Sequence, residues 1–208
     1  MNKERLTAFS DGVIAIIITI MVLELKVPLG ATWQALAGLW PIFLSYVLSF
    51  VFIGIYWNNH HHLLHAAKRV TGGILWANTH LLFWLSLIPF TTGWMGENEF
   101  AELPVALYGV SMLMPAIAYY VLQGRIVHAN GADRSLADAL GRDIKGKISF
   151  VIVVAGIGLA FVNHWLACAA YVLLALLWFI PDRRIERTIG GEWSPSTPAD
   201  VHPKNDGY

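Results

Sequence analysis

The stretch RLTAFSDGVIAIIITIMVLEL, Arg5 to Leu25, decides how this chain is read. Gly12 to Leu23 carry no charge, and Asp11 and Glu24 bound them. About a dozen residues at ~1.5 Å of helical rise cover roughly 18 Å, against a hydrocarbon core of ~30 Å. Either this segment does not cross a bilayer, or it crosses with Asp11 below the surface and turned away from lipid.

The rest of the chain favours crossing. Its 208 residues are 56% hydrophobic and only 13% charged, too few charges to coat a soluble domain of that length. The charges are also segregated. Val27 to Ala67, Val70 to Gly96, Leu103 to Gly124 and Ile148 to Pro181 contain no Asp, Glu, Lys or Arg. Uncharged apolar runs of ~20 residues read as membrane spans. The N-terminus is read as a retained helix and not as a signal peptide. Its apolar run is interrupted at the boundary by Asp11 and ends in Glu24-Leu25-Lys26, with no small-residue cleavage site. Cys168 stands alone, which excludes an intrachain disulfide.

The fold class expected is an all-α membrane protein with six transmembrane helices. The first runs from about Arg5 to Val27 and is broken by Pro28-Leu29-Gly30. The second covers Trp33 to His62, with a kink expected at Pro41. The third covers Thr71 to Trp94 and the fourth Pro104 to Arg125. Ile148 to Pro181 would be ~50 Å as one helix, so it divides into two at Asn163-His164-Trp165. NGADRSLADALGRDIKGK, from Asn130, reads as a short surface helix. Residues 1–185 thus form the six-helix domain, and 186–208 a flexible tail rich in Gly, Pro, Ser and Thr. Of the 14 Lys and Arg residues, only Lys26 falls on one side of the bilayer. The positive-inside rule then puts both termini in the cytoplasm, in a multi-pass plasma-membrane protein.

Polar residues within the spans mark where function lies. Asp11 on the first helix, His60 in YWNNHHHLLH on the second and Asn78 in ANTH on the third are expected at a common depth, with Ser10 and Trp57 beside them. His, Asn, Ser and the Trp indole can donate to a buried carboxylate. The first reading of this cluster is a clamp that fixes helix packing. His61 and His65, four residues apart, share a helical face. Zinc asks for three or four firm ligands, and no Cys or carboxylate cluster joins these imidazoles, so no fixed metal site is expected. There is no phosphate loop, zinc-finger spacing or dinucleotide fingerprint. Neither enzyme activity, cofactor nor nucleic-acid partner is expected.

Beyond Asp11 the first helix is apolar all round, with Thr19 the exception. If its Asp11 side faces inward, helical spacing continues that stripe mainly through Ile16, Thr19, Ile20 and Leu23, with Ala15 and Ile18 at the margins. Around a symmetry axis such a stripe would form rings of branched side chains. A narrow apolar ring gates by dewetting, and a hydroxyl ring can assist a partly dehydrated ion.

These residues carry a family resemblance. Arg5-x-x-x-Phe9-Ser10-Asp11 resembles the R-x-x-x-F-S-D signature of the transmembrane protein 175 potassium channels. YWNNHHHLLH resembles that family's Trp-x-x-His end of the second helix, and ANTHLLFWLSLIPFTT its Asn-containing third helix. The resemblance covers roughly residues 4–185 and implies a prokaryotic member with one six-helix repeat per chain. It implies a homotetramer in the lipid bilayer with the first helix of each subunit lining one pore for monovalent cations, potassium foremost. By its pattern Ile16 is the constriction, Thr19 contributes a hydroxyl, and Ile20 and Leu23 form further apolar layers. Arg5, Phe9, Ser10, Asp11, Trp57, His60 and Asn78 become a structural network. The rival reading is a proton-coupled secondary transporter using Asp11 and His60, which predicts saturable flux and two access states. The sequence shows no internal repeat or paired broken helices for it.

Overall fold

The computed structural model describes residues 2–131 and 144–179, and every regular element among them is a helix. The first, α1, spans Lys3–Leu23. It starts where the Asn2 side chain accepts from the Arg5 backbone N–H at 3.0 Å, and it stops short of Val27. The expected second helix is two elements. Thr32 caps a single short turn of helix, α2 (Trp33–Ala37), and α3 begins anew at Trp40 and runs to Ala66. Pro41 therefore opens a helix and does not kink one. In a first turn its missing N–H has no intrahelical partner to lose.

The expected third helix divides at Leu87 into α4 (Gly72–Ser86) and α5 (Ile88–Glu97). Pro89 cannot donate back along the helix, and the Leu87 N–H turns to Trp84 O at 3.3 Å. Next, α6 (Glu102–Asn130) carries Pro115 inside it and outlasts its expected end by more than a turn. Then α7 (Ile144–Ala160) and α8 (His164–Phe179) form a hairpin. Its turn falls just before His164, because the Asn163 side chain accepts from the N–H groups of Trp165 and Leu166. The expected surface helix lies mainly in 132–143 and the tail in 186–208, outside the described residues.

Among the described residues, four segments are long and apolar enough to cross a membrane: Lys3–Leu23, Trp40–Ala66, Gly72–Glu97 and Glu102–Asn130. They pack into two apolar clusters. One joins α1, α3, α4 and α6 through Ile14, Ile17, Ile53, Ile74, Leu81 and Leu122. The other joins α3, α5, α6, α7 and α8 around Tyr108 and Tyr171. In lipid there is little hydrophobic drive between helices, so close backbone approach and hydroxyl bonds matter more. Ser49 contacts Thr92 at 2.6 Å and donates to Tyr108 at 3.0 Å, and Thr91 meets Ser111 at 2.8 Å.

Two glycines flank Tyr171. A Cβ on Gly109 or on Gly156 would run into its ring. We expect Gly109→Ala to destabilise the protein by about 1–3 kcal/mol, because the buried Tyr171 ring is held on both sides and cannot swing away. Thermal unfolding in detergent measures this. An unchanged midpoint would mean that α6 and α8 can separate without cost.

Candidate functional site

The first helix has two faces of different character. Leu6, Ser10, Ile14, Ile17 and Met21 are buried against α3, α4 and α5. Ile16 is 60% exposed, Leu23 77% and Ile20 42%, and Thr19 is exposed with them. The Thr19 hydroxyl donates to Ala15 O at 2.9 Å. Its proton is thus spent within the helix, and the oxygen lone pairs remain available to a cation.

Asp11 does not share that stripe. At about 100° per residue, Ile16 and Leu23 lie roughly 140° and 120° around the helix from it. Asp11 is half-buried at the edge facing α3, where the Trp57 indole N–H donates to its carboxylate at 3.0 Å. The expectation that an inward Asp11 selects the stripe is therefore replaced by a division of labour around one helix. The Asp11 edge and the Ser10 face hold α1, and a third face is left exposed.

His60, Asn78 and Ser10 form a separate chain, all three fully buried. The Asn78 amide nitrogen donates to Ser10 Oγ at 2.9 Å, and Ser10 donates to Leu6 O at 2.9 Å. The Asn78 carbonyl oxygen is then the acceptor for His60 Nε2 at 2.7 Å. This direction places the ring proton on Nε2 and leaves Nδ1, which has no partner among the described residues, as a bare lone pair. The expected cluster is thus two links. Trp57 ties α3 to Asp11, and His60–Asn78–Ser10 ties α3 through α4 to α1. Arg5 and Phe9 stand outside both. Arg5 is exposed, with its backbone N–H on Asn2, and Phe9 is 56% exposed.

Toward the loop after α3, Trp57, His61 and His65 follow one another with ring centroids 6.1 Å and 6.5 Å apart, the first pair tilted and the two imidazoles stacked. No group of three or more metal-ligating side chains occurs among the described residues. Sequence reasoning missed the pair Lys26–Glu97 at 2.7 Å, which joins the chain after α1 to the end of α5. The signal was there, since Lys26 is the single basic residue expected on that side and Glu97 follows an uncharged run.

The family model described as endosomal/lysosomal potassium channel TMEM175 matches residues 5–89, which hold α1, α3 and α4 and both polar links. A potassium channel of Chryseobacterium sp. (strain P1-3) is 52% identical over 91% of this chain and 98% of its own length. This chain belongs to the TMEM175 family. A Streptomyces collinus potassium channel is 33% identical over 86% of this chain and 92% of its own. The crystal structure of a lysosomal potassium-selective channel TMEM175 homolog from Chamaesiphon minutus superposes with a TM-score of 0.72 at 28% identity, covering 85% of this chain and 96% of that one. TMEM175 membership makes the protein a prokaryotic ion channel and not an enzyme. The transporter reading is not favoured by these relatives, and Asp11 and His60 have different hydrogen-bond partners.

Proposed function

We propose that this chain is a potassium-permeable cation channel of the plasma membrane. It works as a homotetramer of six-helix subunits with cytoplasmic termini. Residues 1–185 make the channel domain and 186–208 a cytoplasmic tail. The exposed stripe of α1 from each subunit lines the central pathway. The single observation that carries this reading is that Ile16, Thr19, Ile20 and Leu23 form one exposed row on a helix whose other side is held by two separate polar links. A helix that only met lipid would not require that bracing.

In this arrangement Ile16 is the narrowest ring. Four branched side chains exclude bulk water, so a cation crosses only after shedding part of its hydration shell. Potassium loses its shell at lower cost than sodium, which gives modest selectivity with no carbonyl-lined filter. Thr19, one turn further on, offers outward-facing lone pairs to the partly dehydrated ion. Ile20 and Leu23 extend the apolar zone toward Glu24. Asp11 and His60 position the helix and do not touch the ion.

Planar-bilayer recording of the purified protein under opposed potassium and sodium gradients tests this. Unitary currents reversing near the potassium potential are expected. Saturable liposome uptake without unitary currents would overturn the channel reading.

A further inference from the structure

The exposed polar groups of the spans outside α1 point to a specific contact between subunits. Asn58 on α3 is exposed, and its side-chain amide has no hydrogen-bond partner among the described residues. His80 on α4 is exposed too. Its Nε2 accepts from the Trp84 indole at 2.8 Å, so the ring proton sits on Nδ1, an outward donor. Each lies eight residues from the end of its helix at the α3–α4 loop, roughly 12 Å along the span. Polar groups at that depth turn toward protein, not lipid.

Their depths coincide. The His60–Asn78 bond sets those two residues level on antiparallel helices. Two residues further from the loop on each helix are Asn58 and His80, so both sit about 3 Å deeper at one common level. They cannot serve each other within a subunit, because each lies about 200° around its helix from His60 or Asn78, the residues through which α3 and α4 meet. The Asp11 edge of α1 meets α3 through Trp57. The opposite edge, at Ile20 and Glu24, borders a groove of about 410 Å³ shared with Ser86 and Phe90 of α4 and α5.

We propose that the α4–α5 face of one subunit packs on the α3 face of the next, with His80 Nδ1–H donating to the Asn58 amide oxygen across the interface. This rests on the α1-centred tetramer. A ring of identical subunits around α1 joins unlike faces head to tail, and rotation about the membrane normal preserves depth, so the two groups meet at the same level. The apolar surroundings match. Trp76, Phe83 and Phe90 recur at intervals of seven on the α4–α5 face, and Phe43, Val47 and Phe50 repeat at intervals of four and three on the α3 face, all exposed. The contact supplies a registry point in an interface that is otherwise apolar and free to slide.

The test uses full-length protein in membranes, in a Cys168→Ser background. Asn58→Cys with one affinity tag is co-expressed with His80→Cys carrying another, then oxidised. A doubly tagged disulfide dimer is expected, and the chain carrying both substitutions is expected to give a ladder up to four subunits. Asn58→Cys with Phe90→Cys, ten residues or about 15 Å off level, is expected to give neither. A tetramer by native mass spectrometry that fails to cross-link, or cross-links equally in the control pair, overturns this contact and leaves the tetramer standing. A monomer by native mass spectrometry overturns the tetramer and the contact with it. As a check free of cysteine, Asn58→Leu and His80→Phe each lower the tetramer fraction, and the double substitution lowers it no further than either alone. Additive losses would count against the bond.

Discussion

Ile16→Asn is expected to raise unitary potassium conductance about tenfold. In the proposed tetramer the barrier at the Ile16 ring comes from the missing water, and four amides in place of four butyl groups would hydrate the gap. Lowering the barrier by about 1.4 kcal/mol is enough for a tenfold rate, less than one hydrogen bond to an ion commonly provides. Selectivity is expected to fall at the same time, because a hydrated passage no longer makes sodium pay for shedding its shell. The substitution is safe for the fold, since Ile16 is 60% exposed in the subunit and makes no part of the apolar cluster that holds α1. That separates it from its neighbour Ile17, which is 2% exposed and packed inside. Single-channel recording of Ile16→Asn and Ile17→Asn settles the face. If Ile17→Asn opened the pathway and Ile16→Asn left conductance unchanged in assembled protein, α1 would have to be turned by about 100° and the proposed lining would be wrong.

Depth was legible in this sequence and rotation was not. Short loops turn sequence distance into depth, which is why His60 and Asn78 were expected level and are found 2.7 Å apart. Which side of α1 faces which neighbour depends on packing from several helices at once. Helical spacing alone therefore groups Asp11 with Ile16, and packing sets them on different faces. The uncharged runs located the long apolar helices, but not their ends. Those ends are set by single capping groups: Asn2 for α1, Thr71 for α4 and Asn163 for α8. Pro41 shows the same limit. A proline at the start of a helix and one inside it look alike in a hydrophobic run, and only the preceding Gly38 hints at the restart. The R-x-x-x-F-S-D residues divide likewise. Ser10 and Asp11 are bonded to neighbouring helices, whereas Arg5 and Phe9 are exposed in the isolated subunit.

Asn78→Leu is expected to be the most damaging single change to the bracing of α1, costing about 2–5 kcal/mol of stability. Asn78 is the middle of a three-residue chain, and leucine of similar size removes both its acceptor and its donor. His60 Nε2–H then loses its partner at a fully buried site whose other ring nitrogen is already bare, and Ser10 loses a donor. Each buried group left unpaired costs about 1–3 kcal/mol. The opposing consideration is that hydrogen bonds between membrane helices average only about 0.6 kcal/mol, because the separated helices find other partners. Two such bonds would amount to about 1.2 kcal/mol, so the measurement discriminates. Trp57→Phe is the comparison. It removes one bond to Asp11, but that carboxylate is only half-buried and water can replace the indole, so a loss of about 1 kcal/mol is expected. Denaturation of both variants in the same detergent gives the ranking. If Asn78→Leu were no worse than Trp57→Phe, the buried chain would not be what anchors α1. The position of the proposed Ile16 ring would then depend on the apolar contacts of Ile14, Ile17 and Met21 alone.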